Sequence, residues 1–170
     1  ARVLGSIVPQ AIAALPEHLR ARLFVSHQVR EEQCDFARDT YTEAGVQCEV
    51  WPFFKDMADR LAKSHLVIGR AGASTVSETA VVGRPAILVP LPGATNDHQT
   101  FNAEALASVG AADVIKETEF TVDALAQLLE NLLTAPDELQ KRAKAARAVG
   151  KPDAAEALAD LVFAAIQQGA

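Results

Sequence analysis

The chain has 170 residues and a formal charge of −6 at pH 7, with 49% apolar and 5% aromatic residues. That length fits one domain with a sizeable core, and an acidic chain without a basic stripe argues against a nucleic-acid partner. No apolar run approaches the ~20 residues that span a bilayer, so no transmembrane segment is expected. No signal peptide is visible. Cys34 and Cys48 lack a CxxC or metal-type spacing and read as free thiols in a reducing, cytoplasmic compartment.

The chain opens on a helical pattern, with Leu4, Ile7, Val8, Ala11, Ile12 and Leu15 on one face and Pro16 as its break. An α/β domain ordinarily opens with a strand, so this start reads as a piece of something longer. Leu23–Ser26 predicts a strand ending at His27-Gln28. Glu31–Ala44 predicts a helix that Gly45 stops. Val46–Trp51 alternates like a strand, and Pro52-Phe53-Phe54 follows as a loop. Lys55–Ser64 predicts a short helix whose Met57, Ala58 and Leu61 could face a sheet.

Leu66-Val67-Ile68 is an apolar run of the kind buried on both faces of a parallel sheet. It passes through Gly69 and Gly72 into Ser74-Thr75-Val76-Ser77-Glu78. Strand, small-residue turn and helix start form the unit with which α/β proteins hold phosphate, because free N–H groups and the positive end of the helix dipole meet there. The same residues also suit a capping box, Thr75-x-x-Glu78, which closes on itself and needs no ligand. Gly83 ends that helix.

Ala86–Val89 predicts a buried strand stopped by Pro90, with a loop over 91–96. Asp97 is placed to cap a helix running to Ser108, which Gly110 ends. Ala112–Ile115 reads as a last strand. Thr121 caps a helix over Val122–Leu133, and two more helices follow over Asp137–Val149 and Asp153–Gln168. Strands alternating with helices predict an α/β fold with a doubly wound, mostly parallel sheet and an all-helical C-terminus. In such sheets ligands bind beyond the carboxyl ends of the strands. The loops concerned are His27-Gln28, Pro52–Lys55, Gly69–Ser74 and Pro90–His98.

Three stretches then match a known family together. Gly69-Arg70-Ala71-Gly72-Ala73-Ser74-Thr75-Val76-Ser77-Glu78, Gly83-Arg84-Pro85-Ala86-Ile87-Leu88-Val89-Pro90, and Asp97-His98-Gln99 with Asn102-Ala103 resemble the donor-binding domain of the MurG family. These bacterial peptidoglycan glycosyltransferases move GlcNAc from UDP-GlcNAc to lipid I, making lipid II. The resemblance covers nearly the whole chain but only half of such an enzyme. It implies a single Rossmann-like domain, the C-terminal half of a two-domain GT-B architecture, with the family's first strand and Gly-rich turn missing. It also implies that the acceptor loops and the catalytic base lie in an N-terminal domain, and that the full enzyme works peripherally at the cytoplasmic face of the inner membrane.

The resemblance assigns roles residue by residue. The Glu78 carboxylate would accept both ribose hydroxyls, which suits a vicinal diol. Ala73, Ser74, Thr75, Val76 and Ser77 would lie along the nucleotide, with N–H groups and hydroxyls near the diphosphate. Phe54 would read the uracil edge through its main chain, although Phe53 and Phe54 could equally be core. Gln99 would hydrogen-bond the GlcNAc hydroxyls, with His98 beside it. Arg70 and Gly72 in the turn, Asn102 and His27 are further candidates; a packing role suits Arg70 as well, and a structural one suits Asn102 better.

No Asp-x-Asp appears, so no metal is expected at the diphosphate, and no cofactor is expected. Nor is there a Ser-His-Asp or Cys-His set for a covalent nucleophile. Two alternatives remain open. One is another GT-B sugar-nucleotide enzyme, such as a UDP-GlcNAc 2-epimerase or a different UDP-sugar transferase. The other is a non-catalytic nucleotide-binding module.

Overall fold

The computed structural model describes residues 2–94 and 97–168; Thr95 and Asn96, from the loop expected before His98, lie outside the described residues. The chain runs α1 (Arg2–Ala13), α2 (Glu17–Arg20), β1 (Phe24–Gln28), a 3-10 turn (Glu31–Gln33), α3 (Cys34–Glu43), β2 (Gln47–Trp51) and α4 (Met57–Lys63). It continues with β3 (Val67–Gly69), α5 (Ala73–Val82), β4 (Ala86–Leu88), α6 (His98–Ala107) and β5 (Ala112–Val114), and ends with α7 (Val122–Leu133), α8 (Pro136–Val149) and α9 (Ala154–Gln168).

Every strand pair is parallel. The strands form two ladders, β1-β2 and β3-β4-β5, rather than the one continuous sheet expected. The central strand β4 explains how helices cover both sides. Its residues alternate by period two: Ile87 and the following Val89 join a core with α1, α3 and α7, while Ala86 and Leu88 join another with α5, α6 and α8. Leu66 and Ile68 pack against the first of these cores, as do Val25 and Val50 of the other ladder, so both ladders share one apolar layer. This is the doubly wound arrangement, with a break in the backbone pairing.

Two expectations change. β3 is half-buried along its whole length, not buried on both faces, because it is the edge strand of its ladder while β4 is central. In α4, Ala58 is exposed, and Met57 and Leu61 are only partly covered. That helix is held at its end by Arg84 instead: the guanidinium donates to the carbonyls of Leu61, at 3.2 Å, and Ala62.

Local stop signals act where they stand. Gly45, Gly83 and Gly110 all adopt φ near +70°, the left-handed conformation that closes a helix cheaply only for glycine. Thr121 Oγ1 accepts from the Ala124 N–H at 3.2 Å, and α7 starts there as predicted. After β5 the described elements are all helices. The last helix leaves Leu158, Leu161, Val162, Phe163 and Ile166 exposed. No described helix is long and apolar enough to cross a membrane.

Candidate functional site at the carboxyl ends of the strands

In a doubly wound fold the loops after β2, β3 and β4 share one edge, and the predicted residues lie in those loops, in α5 and α6 that follow them and, for His27, near the end of β1. The turn after β3 is the most informative. Helix α5 begins at Ala73 with Gly72 as its N-cap, and no side chain caps it. Thr75 is therefore the third residue of the helix and not its cap, so the capping box with Glu78 does not form. Gly72 contributes its carbonyl to Val76 N at 3.0 Å, but it has no side chain to offer the first N–H groups. Those of Ala73, Ser74 and Thr75 have no acceptor among the described residues, and they stand at the positive end of the helix dipole.

The Glu78 side chain is exposed and enters no hydrogen bond or ion pair among the described residues. It lies one helical turn beyond Ser74, so the serine hydroxyl and the carboxylate share a face of α5. Ser77 is exposed as well, whereas Val76 is buried and anchors the helix.

The turn itself is tied down from two sides. Arg70 donates through one nitrogen to the carbonyls of Val89, at 3.2 Å, and Pro90, at 3.0 Å. Its other terminal nitrogen pairs with the Glu117 carboxylate, which follows β5. The guanidinium thus clamps the β3–α5 turn to the ends of β4 and β5; this is the packing role foreseen for it. On the other side Asn102 Nδ2 donates to the Ala71 carbonyl at 3.1 Å, joining α6 to the same turn. Between α5 and α6 lies a groove of about 220 Å³ lined by Ala73, Val76, Ser77, Phe101, Asn102 and Ala105. A larger hollow of about 400 Å³ by Arg20 and Gly45 sits at the opposite edge, before β1 and β2, where α/β sheets do not bind ligands.

His98 and Gln99 open α6. Asp97 does not cap that helix as expected. Its backbone is left-handed, with φ 52°, and its carboxylate accepts from the Thr100 hydroxyl at 2.8 Å instead of from a main-chain N–H. Gln99 Oε1 accepts from the Leu91 N–H at 3.0 Å, closing the loop after β4.

Phe54 is buried while Phe53 is 70% exposed, so the two aromatic residues divide between core and surface. The Arg60 guanidinium lies 3.8 Å over the Phe54 ring and is itself held by Asp56, Glu49 and Ser26. This braces the loop from below. The Phe54 N–H donates to Gln28 Oε1 at 3.2 Å. His27, the other residue at that strand end, turns to the core, where Nδ1 meets the buried Tyr41 hydroxyl at 2.9 Å. Burial lowers its pKa to about 4, so the ring is neutral near pH 7.

Sequence reasoning missed the partners more than the candidates. Glu117 carries no local motif, and nothing near it in the chain points to Arg70. Arg60 reads as an ordinary residue of an amphipathic helix. Gln28 stands at a strand end on the ligand edge, which is a signal, but its target lies in another loop. Among the described residues no group of acidic, histidine or cysteine side chains could hold a metal ion.

The model of the glycosyltransferase family 28 C-terminal domain matches residues 1–158. A relative from Caulobacter vibrioides, named UDP-N-acetylglucosamine--N-acetylmuramyl-(pentapeptide) pyrophosphoryl-undecaprenol N-acetylglucosamine transferase, is 54% identical over 95% of this chain and 45% of its own length. The protein of the same name from Rhodospirillum centenum is 54% identical over 99% of this chain and 45% of its own. The chain thus spans about half the length of the curated relatives it matches. The crystal structure of Acinetobacter baumannii MurG superposes with a TM-score of 0.85 at 35% identity, covering 95% of this chain and 48% of that one. The glycosyltransferase VinC, solved with dTDP, shares the fold alone, with a TM-score of 0.61 at 20% identity. The expected resemblance to MurG holds along nearly all of the sequence, and the chain belongs to the family of the glycosyltransferase family 28 C-terminal domain.

Proposed function

We propose that this chain is a single donor-binding domain for UDP-GlcNAc, working within an inverting transferase that carries GlcNAc to lipid I. The observation that supports this best is the uncapped start of α5. Free N–H groups of Ala73, Ser74 and Thr75, the Ser74 and Ser77 hydroxyls, and the unpaired Glu78 carboxylate lie together on the ligand edge. A diphosphate fits the N–H groups and the dipole. A ribose diol fits the carboxylate one turn away. The Phe54 main chain takes the uracil edge, and Gln99, with His98 beside it, takes the sugar hydroxyls.

The relatives' shared name states donor and acceptor, and the reaction follows chemically. The lipid I hydroxyl attacks the anomeric carbon from the side opposite UDP, inverting the centre. Negative charge grows on the departing diphosphate, where the start of α5 stabilises it. The base that takes the hydroxyl proton comes from outside these residues. No cofactor or metal takes part. The complete enzyme acts at the cytoplasmic face of the membrane, where its lipid-linked acceptor is held.

Calorimetry with UDP, UDP-GlcNAc and other sugar nucleotides tests this reading. Uridine nucleotides should bind, and Glu78→Ala should weaken UDP by roughly 10- to 100-fold, the worth of a charged hydrogen-bond pair, while barely changing 2′,3′-dideoxy-UDP. UDP affinity unmoved by that substitution would remove Glu78 from the site. A clear preference for a different sugar nucleotide would point to another transferase or an epimerase.

A further inference from the structure

The Phe54 N–H, to which the donor reading gives the base edge, is already occupied. It donates to Gln28 Oε1 at 3.2 Å, in partly buried surroundings. One N–H has one good acceptor direction, so a base carbonyl and the Gln28 carbonyl exclude each other there. The two groups are also chemically alike. A primary carboxamide offers an acceptor oxygen beside a donor nitrogen, and a uracil edge offers a carbonyl beside the N3–H. The main chain holds Gln28 in place for this: it pairs with Trp51 in the parallel ladder, and the Val29 N–H donates to the Trp51 carbonyl at 3.1 Å. The loop meanwhile is braced by Arg60 stacked on the Phe54 ring, so the N–H stays aimed whichever acceptor takes it.

We infer that Gln28 is an internal placeholder for the base: its carboxamide holds the Phe54 N–H in the empty site and swings out when a uracil carbonyl arrives. Gln28 is exposed, so its side chain has solvent to move into. This inference rests on the donor-site reading. It adds that base binding is an exchange of acceptors on one donor rather than the filling of a vacant group. Affinity for uridine nucleotides is then set in part by how strongly residue 28 competes.

The consequence is an ordered series at one position. Gln28→Met keeps the length and removes the acceptor, and UDP should bind about 2- to 10-fold tighter, the worth of a neutral hydrogen bond. Gln28→Glu replaces it with a stronger, charged acceptor, and UDP should bind several-fold weaker. Ribose 5-diphosphate, which lacks the base, should respond to neither change. The Phe54 amide reports the exchange directly. Its hydrogen exchange should be protected in the empty unaltered protein, faster in empty Gln28→Met, and protected again in both with UDP.

If both variants bind UDP like the unaltered protein, or if Gln28→Met weakens it, the placeholder is wrong while the donor site stands. If the unaltered protein binds ribose 5-diphosphate but gains nothing from the base, the base-reading role of Phe54 fails and this inference fails with it. No binding of UDP by the unaltered protein would overturn both.

Discussion

His27 illustrates how one half-buried side chain imposes a pH dependence. Its ring donates to or accepts from the Tyr41 hydroxyl inside the core, and burial lowers its pKa to about 4 from an ordinary 6.5. The unfolded chain therefore takes up a proton at His27 as pH falls through 6.5, before the folded chain does. The resulting stability is fully present above pH 6.5 and is lost as pH falls toward 4, amounting to at most about 3 kcal/mol. Urea melts between pH 5 and 7 should show a stability that rises with pH. His27→Gln, which keeps a partner for Tyr41, should flatten that rise. An unchanged slope in the variant would assign it to the carboxylates. Glu78 is the contrasting residue, a carboxylate left exposed and unpaired where a partner would be easy to supply.

At the scale of elements, α5 is held tightly at its end and left open at its start. Gly83 is left-handed, and a side-chain carbon there would come within 2.9 Å of Arg147. Gly150, after α8, has no room at all: a Cβ would stand 2.5 Å from the Ala80 carbonyl oxygen, which is backbone and cannot turn aside. Gly150→Ala should therefore cost about 1–3 kcal/mol, read as a lower urea midpoint with the slope unchanged. Because Ala80 belongs to α5, the displacement should also weaken UDP binding. A variant of unaltered stability would mean that the α8–α9 link moves freely off α5. The start of the same helix is held by the buried Val76 and by the turn that Arg70 and Asn102 tie down, which leaves its N–H groups available.

At the scale of the molecule, the proposed donor site occupies one edge of the strands. The chain covers 45% of the length of its transferase relatives, and the proposed donor site assigns none of its residues the part of a base for the acceptor. A polypeptide of these residues alone should thus bind UDP-GlcNAc without transferring GlcNAc to a lipid I analogue. Measurable transfer would relocate the base into this chain. Two parallel ladders that share an apolar layer without pairing to each other, and an α9 with Leu161 and Phe163 exposed, are further features at this scale.

Element order was legible in the sequence because its signals are local. Apolar period, the Thr121 cap and the glycines at 45, 83 and 110 act within a turn or two, and the structure follows them closely. The family resemblance was legible for the same reason, since its motifs are contiguous runs. The candidate site was legible as a set of loops at one edge, but its wiring was not. Whether Thr75 caps α5 depended on where Gly69–Gly72 turned, and that turn is set by Arg70 reaching Glu117, 47 residues away. Gln28 meets Phe54 across 26 residues, only because β1 and β2 lie side by side. Local propensity decides which segments become helix or strand. Which groups are spent on each other, and which stay free for a ligand, is decided by packing, because a hydrogen bond between distant residues exists only once the fold has brought them together.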